Sequence, residues 1–575
     1  MQSCCISQIT CIFVRCTQKQ IIIKKYLTLI IVLLFTVVQG VWTQTDFGNV
    51  PDTVDPSDAT ITKMGHLTMT MGKEVVVDPQ TQQVDTIIRV KKVERDTEAG
   101  TAQKRMARRQ VPHGSYFLDK DTDWWLDMWY FTYNYPSVNA DGEDVILSAM
   151  ACMPDEDCKH VNNVIIGCHV TITSNAECPS RYIDEGSSDS DVSMLMNHAG
   201  SGLVFHSEQS DMPYYNLVIL PDYEGYGVTR NNAHPYLYQE LTARQVVDAT
   251  RYGSSLYKTS SRVDKVRHSF RSNWRSICVG YSQGGSVALA TQRFIEQNGL
   301  TDELHLAGSV CGDGPYDMMA TLMYYVKQHK EGKNLSMPVV MPLILKGMCD
   351  SNPYMLDHQV SEYIKPEFLE TGILDWLTDK NLTTDDITWQ WRMEYLFGKE
   401  ADQIEYVFEG MPTSDYYHDV LNSDGTSSLS KMLREEALAY FETLYNMNQV
   451  TYTTSIGIPL PTKRGVMEDL HFALESNNMT KGWQPQHPIF MYHSFKDTVV
   501  PEVNRERAGN TIGEWVIKLH ASGHLQFDHV GTGVQFFLGL EEFNAIRALA
   551  KAPLHPTVEQ VTQMRNDYGS NSVDD

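Results

Sequence analysis

The residues best suited to chemistry lie in the pentapeptide Gly280-Tyr281-Ser282-Gln283-Gly284. An apolar run, 276–279, precedes it, and a small-residue stretch, 286–290, follows it. This order is typical of a strand, a sharp turn and a helix, in which the turn pushes the serine hydroxyl out at the carboxyl edge of a sheet. The glycines suit such a turn because a Cβ at either position would crowd the backbone. Ser282 is therefore the candidate nucleophile, and a chance match in a glycine-rich turn is the alternative.

A serine nucleophile needs a carboxylate and a histidine base, which in this type of chain follow the serine in that order. Asp497 follows the apolar run 489–492, so we expect it at the same sheet edge as Ser282. There it would hold the histidine tautomer and stabilise the imidazolium without taking the proton. A turn-capping role is the structural alternative for Asp497. Asp313 and Asp317 are rival acids, although their place in and next to a Gly-Pro-Tyr-Asp turn favours a structural role.

Three histidines, His520, His524 and His529, follow the last predicted strand, 515–519. His520 ends that strand, where sheet packing would fix its ring. His524 lies in a Ser-Gly-His turn, whereas His529 lies just before a predicted helix, with glycines nearby that allow close packing. A general base must come within hydrogen-bond reach of the serine, and a helix start holds it more rigidly than a loop. We therefore predict His529 as the base and keep His524 as the alternative.

The composition is that of a large globular protein. With 575 residues, 42% of them hydrophobic, the chain can bury a large core and carry more than one module. A net charge of −25 argues against nucleic acids and anionic membrane surfaces as partners. No Cys-x2-Cys or His-Glu-x-x-His spacing suggests a metal site, and serine chemistry requires no cofactor. The sequence does not determine the oligomeric state.

The N-terminal region has the features of a secretory signal peptide. Lys24 and Lys25 precede the apolar run 27–38, and small and polar residues follow it. The run is shorter than the roughly 20 residues of a transmembrane helix, so we predict no stable membrane insertion and keep a membrane anchor as the alternative. We predict that residues 1–43 form the signal region, with a possible start near Lys24, and that the protein is secreted or periplasmic.

The rest of the chain divides by composition into three parts. Residues 44–113 are polar, with strand-like alternation at 73–77 and 86–90, and end in the basic cluster 104–109. We interpret them as an exposed N-terminal segment, and removal of a pro-segment at the basic cluster is the alternative. Residues 114–555 form the predicted catalytic domain, and residues 556–575 form a polar tail.

From residue 114 onward, short apolar runs alternate with helical stretches, which is typical of a mostly parallel α/β sheet. The predicted strands are 144–147, 164–167, 217–220, 276–279, 304–310, 489–492 and 515–519. The alternation stops between about 315 and 460, where helix-like pieces rich in Met and aromatic residues occur at 318–328, 389–396 and 431–445. We predict that this insertion forms a helical cap over the sheet and, because methionine adapts to flexible chains, lines an acyl pocket. An ordinary packing domain is the alternative.

Export would permit disulfides among the seven cysteines that follow the signal region. Cys152 and Cys158 are close enough in sequence to bridge, and so are Cys168 and Cys178, although sequence does not determine connectivity. Cys278 lies within a predicted strand and is expected to be a buried thiol.

Further motifs are distributed along the chain. In order, they are Cys168-His169-Val170-Thr171, Cys178-Pro179-Ser180, the Leu-Pro-Asp-Tyr-Glu-Gly-Tyr-Gly run at 220–227, His234-Pro235-Tyr236-Leu237, the pentapeptide at Ser282, 483–490, and Asp497-Thr498-Val499-Val500-Pro501. Together they resemble the secretory lipases of the fungal lipase A type and their bacterial relatives, over roughly residues 140–545. The resemblance implies an α/β-hydrolase fold with a mostly parallel central sheet, helices on both faces and a helical cap. One departure is Val170, which stands where the family usually has glycine.

The oxyanion of a tetrahedral intermediate needs preorganised donors. The backbone N–H of Gln283, directly after the nucleophile, is the first. In most hydrolases of this fold the second comes from the loop after the third strand, here 169–171, which makes Val170 a candidate. The lipase A resemblance points instead to Asp222, whose alternative role is to cap the turn into Gly225.

These residues predict a secreted serine esterase or lipase that cleaves small-molecule or lipid esters through an acyl-enzyme at Ser282. A serine exopeptidase of the same fold is the alternative enzyme, although no pocket for a free amine is evident in the sequence. A non-catalytic binding protein on a hydrolase scaffold is the alternative from another class, and the intact Ser, Asp and His candidates argue against it. The sequence does not determine the acyl and alcohol parts of the substrate.

Overall fold

The computed structural model describes ten stretches of the chain. They are residues 50–77, 84–95, 124–155, 160–185, 215–333, 337–384, 427–447, 460–493, 499–519 and 540–569, with the single positions 192, 195, 196, 198, 199, 335, 386, 387 and 497. All of them belong to one unit, Phe47–Asp575.

Ten strands of the described chain form one sheet. They are β1 (Thr60–Val77), β2 (Val84–Arg95), β3 (Trp124–Val138), β4 (Asp144–Pro154), β5 (Asn163–Cys168), β6 (Asn216–Pro221), β7 (Ser276–Tyr281), β8 (Leu306–Gly312), β9 (Ile489–Tyr492) and β10 (Val516–Lys518). Their order across the sheet is β10-β9-β8-β7-β5-β6-β4-β3-β1-β2. Strands β5 to β10 pair in parallel, and β1 to β4 extend the sheet in antiparallel fashion. Each predicted strand lies within or overlaps one of these.

The parallel strands are apolar along most of their length because both faces of a parallel sheet are covered. Every residue of β5, β6, β8 and β9 is buried. Their side chains form the main apolar core together with those of the helices around the sheet. The predicted fold class, an α/β-hydrolase fold with a helical insertion, is confirmed.

The described helices connect and cover the strands. They are α1 (Pro179–Glu185), α2 (Gln239–Thr259), α3 (Gln283–Gln297), α4 (Thr301–Leu304), α5 (Met318–Lys330), α6 (Val340–Ser351), α7 (Pro366–Leu369), α8 (Ile373–Asp379), α9 (Ser428–Met432), α10 (Glu435–Met447), α11 (Val466–Ser476), α12 (Val503–Ile512), α13 (Leu540–Lys551) and α14 (Val558–Tyr568). Short 3-10 turns lie at Pro56–Asp58, Asn175–Glu177, Gly227–Thr229 and Val360–Glu362.

The register of the sheet brings three strand ends to one level. The last residue of β7 pairs with the last residue of β8, which in turn pairs with the last residue of β9. The residues that follow these three strands are Ser282, Asp313 and His493. All three therefore leave the sheet at the same carboxyl edge, although they are far apart in sequence.

The N-terminal boundary of the catalytic domain differs from the prediction. Strand β1 pairs with β3 over most of its length and with β2 on its other side. Leu67 and Met69 of β1 are fully buried in the main core. Residues 60–77 and 84–95 are thus part of the sheet, which differs from the predicted exposed segment 44–113. Strand β3, which joins β1 to the rest of the sheet, was not among the predicted strands.

The C-terminal boundary differs as well. Within the predicted polar tail 556–575, residues Val558–Tyr568 form α14, which begins with a capping box at Thr557. Val561 of this helix is buried in the main core. The Arg565 guanidinium donates to the carbonyl oxygens of Gly513, Glu514 and Val516, next to and within β10. These bonds fix α14 against the edge of the sheet because they satisfy backbone acceptors there.

Helices α5 to α11 lie between β8 and β9, and we call the described residues of this region the helical insertion. Its buried side chains form a second apolar cluster, rich in methionine and aromatic residues. Residues of α11, such as Leu470 and Leu474, belong to that cluster, so the insertion extends past the predicted end at about 460. The predicted helix at 389–396 lies outside the described residues.

The cysteines of the described chain are unbridged. Cys152, Cys168, Cys178, Cys278, Cys311 and Cys349 are buried free thiols. The suggested pair Cys168/Cys178 is therefore wrong, whereas Cys158 of the other suggested pair lies outside the described residues. The expectation of a buried thiol at Cys278 is confirmed. Burial raises the pKa of the Cys278 thiol well above its ordinary value, which makes it unreactive. In the part of the chain that the structure describes, no helix is long and apolar enough to span a membrane.

Candidate active site

Ser282 occupies the turn between β7 and α3, with φ 53° and ψ −123°. A left-handed φ is unfavourable for a residue with a Cβ and persists only where surrounding contacts hold it. Here the Ser282 N–H donates to the Gly312 carbonyl at 2.9 Å, and the Ser282 carbonyl accepts the Gly285 N–H at 2.9 Å. This is the strand–turn–helix geometry of a nucleophile elbow.

The two glycines of the pentapeptide let the elbow pack against neighbouring backbone. A Cβ on Gly284 would lie 2.0 Å from the Cys168 carbonyl oxygen, and a Cβ on Gly280 would lie 2.2 Å from the Gly284 carbonyl oxygen. Backbone atoms at such distances cannot move aside as the end of a flexible side chain can. The expectation that both positions require glycine is confirmed.

Gln283 is the first residue of α3, so its backbone N–H has no acceptor within the helix. The N-terminus of a helix favours negative charge, because its N–H groups and its dipole both point there. The Gln283 side chain is buried, and its Nε2 lies 3.4 Å from His234 Nε2. Gln283 thus offers a fixed backbone donor beside the nucleophile, as its predicted role requires.

The loop after β5 reaches the same pocket as the elbow. Val170 and Thr171 line this pocket together with Ser282 and Gln283. Thr171 Oγ1 and Tyr236 Oη lie 2.7 Å apart, which ties the loop to a neighbouring wall of the pocket. Two sources of a second oxyanion donor were predicted, this loop and Asp222. The loop lines the described pocket, whereas Asp222 does not.

Asp222 has a different environment from the one predicted. It is fully buried and does not belong to the described lining of the pocket at Ser282. Its Oδ2 accepts the Ser148 hydroxyl at 2.5 Å, and its Oδ1 accepts the Ser180 N–H at 2.7 Å. Both oxygens therefore brace the loops behind the pocket, and the oxyanion role that the resemblance implied for Asp222 lacks a geometric basis.

His169 connects the loops after β5 and β6. Its ring is fully buried and stacks on Tyr223 with ring centroids 4.0 Å apart. Nδ1 lies 2.7 Å from the Val170 carbonyl oxygen, and Nε2 lies 3.2 Å from the Asp222 carbonyl oxygen. Burial lowers the pKa of His169 to about 4 and outweighs these two contacts, which raise it. The neutral ring is held between two loops as a scaffold.

Asp497 lies on the loop after β9 and is buried. Its Oδ1 accepts the backbone N–H groups of Val499 and Val500 at 2.8 and 2.9 Å. Val499 and Val500 also line the pocket at Ser282, so the acid loop and the elbow border one cavity. The Asp497 carboxylate therefore caps a turn, and the loop that it caps borders the pocket at Ser282. The turn-capping role and the predicted place near the pocket are compatible.

The predicted base, His529, lies outside the described residues, as do its alternative, His524, and His520. The described residues end at Leu519, one residue after β10, and begin again at Leu540, the first residue of α13. The choice between the two histidines therefore stays a prediction.

The rival acids engage other groups. Asp317 caps α5 by accepting the Ala320 N–H at 2.9 Å, and its Oδ2 pairs with Arg507 Nη1 at 2.5 Å. Asp313 Oδ2 accepts the Tyr281 hydroxyl at 2.8 Å, and Asp313 Oδ1 lies 2.9 Å from His493 Nδ1. Asp317 therefore links α5 of the helical insertion to α12, which precedes the last strand of the sheet. This contact agrees with the structural role expected of Asp317.

Sequence reasoning missed His493, which is fully buried at the end of β9. Asp313, His493 and Asp497 each bring one nitrogen or oxygen atom to within 4.8 Å of the others. The direct contact between Asp313 and His493 makes this group an ion-pair network, and we assign no metal to it. Its only signal in the sequence is that His493 immediately follows a predicted strand, as Ser282 does.

The pocket at Ser282 is bordered by the sheet edge and by the helical insertion. The insertion contributes side chains from α5 and α6 and the turn before α6, namely Met318, Thr321, Tyr325, Met337, Val340 and Ile344. The other described lining residues, from outside these helices, are Val170, Thr171, Tyr236, Leu237, Tyr281, Ser282, Gln283, Pro315, Val499 and Val500. None of these described lining residues carries a charge. The pocket is suited to a neutral, largely apolar group.

Comparison with known proteins yields distant structural likenesses. An esterase, LipA from Xanthomonas oryzae, is 18% identical with a TM-score of 0.46, covering 77% of this chain and 91% of that chain. Candida antarctica lipase A is 13% identical with a TM-score of 0.38, covering 68% of this chain and 71% of that chain. No family model matches the sequence, and no curated protein is significantly similar to it. These likenesses are too distant to carry an argument on function, which has to be made from the site itself.

Proposed function

We propose that the protein is a serine hydrolase of carboxylic esters, of the lipase or esterase type. The observation that carries this proposal is the left-handed backbone of Ser282, held in an elbow on the border of an apolar pocket. Strained backbone in residues other than glycine clusters at active sites, where surrounding contacts hold it. In an elbow it exposes the hydroxyl to a bound carbonyl group.

In the proposed reaction, the Ser282 hydroxyl attacks the ester carbonyl while His529 accepts its proton. The charge on the carbonyl oxygen is stabilised by the Gln283 N–H and by a donor from the 169–171 loop. The tetrahedral intermediate collapses, His529 returns the proton to the leaving alkoxide, and an acyl-enzyme forms. Water then attacks the acyl group by the same route and releases the acid. Asp497 holds the imidazole and stabilises its charged form.

The uncharged pocket favours an acyl chain over a peptide substrate. An exopeptidase needs a polar or anionic group to bind the free amine of its substrate, and the described lining residues include no carboxylate. Burying an ammonium group without a partner is costly, so this pocket disfavours aminoacyl substrates. We propose small-molecule or lipid esters as substrates, without a cofactor, and export of the protein through the signal region 1–43.

The proposal is tested with a fluorophosphonate label and two substrate series. The wild-type protein is expected to take up the label and to hydrolyse p-nitrophenyl esters, whereas Ser282→Ala should lose both activities, the hydrolysis by at least three orders of magnitude. Aminoacyl-anilides are the control series and should be poor substrates. Labelling that persists in Ser282→Ala would contradict the choice of nucleophile. A wild-type protein that is neither labelled nor active on esters would favour a binding protein.

A further inference from the structure

Two neighbouring strand ends carry a residue other than glycine with a left-handed backbone. Ser282 follows β7 with φ 53°, and Asp313 follows β8 with φ 39°. The Asp313 N–H donates to the Tyr492 carbonyl at the end of β9, at 3.1 Å. Ser282 is the proposed nucleophile, whereas Asp313 has no role in the proposed reaction. Aspartate adopts this backbone more readily than most residues, so the case for Asp313 depends on what its side chain contacts.

The Asp313 carboxylate is aimed at two groups inside the protein. One oxygen accepts the hydroxyl of Tyr281, the residue before the nucleophile, and the other lies 2.9 Å from His493 Nδ1. The side chains of Asp313 and His493 are both 0% exposed. Among the described residues, neither ring nitrogen of His493 has a well-aligned hydrogen bond. The contact is therefore mainly one between charges.

Asp497 completes the group. One atom from each of Asp313, His493 and Asp497 lies within 4.8 Å of the other two. Two carboxylates at this separation repel each other strongly where water is excluded, unless a cation compensates one of them. Among the described residues, His493 contacts Asp313 directly and has a ring nitrogen within 4.8 Å of Asp497, so its imidazolium can do so.

The surroundings of His493 favour its charged form. Burial alone would lower the pKa of His493, but the carboxylates of Asp313 and Asp497 outweigh burial and raise it. Arg505, on α12, opposes them with its like charge. The hydroxyl of Tyr281 faces Asp313 and remains a neutral donor, since burial and the nearby carboxylates raise its pKa well above the ordinary value.

We infer that His493 is a positioning residue for the proposed reaction: as an imidazolium close to both Asp313 and Asp497, it compensates the buried negative charge and keeps Asp497 available as the anion that supports the base. The inference rests on the proposed function, because Asp497 matters only if it supports a base. Without the cation, nothing in the described group would offset the repulsion between the two buried carboxylates, and Asp497 would be a poorer anionic partner for the base once the base has accepted the Ser282 proton.

The chain contains a matched control at the other end of the same strand. His487 precedes β9, and its Nδ1 pairs with Glu296 Oε1 at 2.8 Å, with both side chains 1% exposed. The His487–Glu296 pair thus closely matches the His493–Asp313 pair in burial and contact distance. It lies at the amino end of the strand, whereas Ser282 lies at the carboxyl edge. Because His487 Nε2 also lies 2.9 Å from the Leu554 carbonyl oxygen, His487→Gln should cost at least as much stability as His493→Gln, without touching the acid loop.

The experiment compares the pH–rate profiles of His493→Gln, Asp313→Asn and the double variant on a p-nitrophenyl ester. His493→Gln should lower kcat at least tenfold with KM changed less than twofold, and should move the acidic limb of the profile to higher pH. The double variant removes one positive and one negative charge, which restores the net charge around Asp497. It should recover most of the lost kcat. His487→Gln should leave kcat and the profile unchanged, even where its melting temperature falls.

A double variant that is as impaired as His493→Gln, or more so, would overturn the inference and reduce His493 to a packing role. Normal kcat in His493→Gln would overturn it as well. If His493→Gln does not fold, 15N-histidine spectra of the wild-type protein, assigned with Asp313→Asn, decide the matter: a neutral ring at neutral pH contradicts the inference, and an imidazolium supports it. A Ser282→Ala variant measured in parallel separates failure of this inference from failure of the proposed function. Hydrolysis that persists in Ser282→Ala would contradict the proposed function itself.

Discussion

The carboxyl edge of the sheet and the helical insertion border one pocket, but they contribute different groups to it. The sheet edge contributes residues held by backbone bonds, such as Ser282 in its left-handed turn and Val499 and Val500, whose N–H groups donate to Asp497. The insertion contributes side chains that pack by shape, such as Met318, Val340 and Ile344. The edge fixes its groups by hydrogen bonds, whereas the insertion offers an apolar surface into which a chain can fit.

This difference indicates how the two regions are coupled to activity. Groups aimed by several hydrogen bonds stabilise charge that develops in a transition state, and their loss costs orders of magnitude. Apolar contacts contribute about 0.8 kcal/mol per buried methylene and discriminate between substrates only by small factors. We therefore expect changes at the sheet edge to act on kcat for every ester, and changes in the insertion to act on the choice among esters.

The largest effect is expected for the catalytic base at the sheet edge. His529→Ala should lower kcat on all esters by at least three orders of magnitude, because it removes a member of the triad. His524→Ala is the matched control, five residues earlier in the same region, and should stay near wild-type activity. Kinetics of both variants on a short and a long p-nitrophenyl ester checks this. Collapse in His524→Ala with near-normal turnover in His529→Ala would reverse the assignment and leave the rest of the mechanism intact.

An intermediate effect is expected when the insertion's side of the pocket is filled. Ile344→Trp should lower kcat/KM for long acyl chains about tenfold relative to short ones, because excluding two methylenes from the pocket costs about 1.6 kcal/mol. The control is Leu356→Trp, which adds the same side chain to an exposed site of the insertion, 49% exposed in the wild type. A chain-length series of esters measures the ratio. An equal loss on all chain lengths would mean that Ile344 supports the elbow and does not select the substrate.

The smallest effect on activity is expected for Asp222→Asn, behind the pocket. This substitution should nevertheless change the stability of the protein clearly. Burial raises the pKa of this carboxyl to about 6, so the folded state binds a proton that the unfolded chain releases. The stabilising contribution of protonated Asp222 is fully present below about pH 4 and is lost as the pH rises through about 6, by up to about 3 kcal/mol. Asp222→Asn lacks this dependence, so its stability should rise relative to the wild type between pH 4 and 7.

Urea unfolding of both proteins across that range measures the difference at Asp222. Ester hydrolysis by Asp222→Asn should stay within about threefold of the wild type, because this side chain does not line the described pocket. If the free energies of unfolding of the wild type and of Asp222→Asn changed in parallel with pH, the pKa of Asp222 would not be raised by folding. If Asp222→Asn instead lost activity by orders of magnitude, Asp222 would have a role in the reaction after all.

Patterns within a few residues were enough to predict much of the molecule. The elbow at Ser282 could be read because its signal is local: an apolar run, two glycines and a helix that begins at the next residue. The parallel strands could be read for the same reason, since burial on both faces leaves uninterrupted apolar runs. The place of Asp497 followed from the rule that parallel strands end at one edge of the sheet.

The tertiary structure alone decided what depends on contacts distant in sequence. Strands β1 and β2 look like a polar segment in the sequence, and only the pairing of β1 with β3 and of β2 with β1 shows that both belong to the sheet. Asp222 sits in a motif that implied a catalytic role, yet its partners Ser148 and Ser180 come from other segments. The pairing of Asp313 with His493 joins residues 180 positions apart through the register of β8 and β9. Sequence patterns report the local preferences of the backbone, whereas charge partners are chosen by packing, which brings distant segments together only in the folded chain.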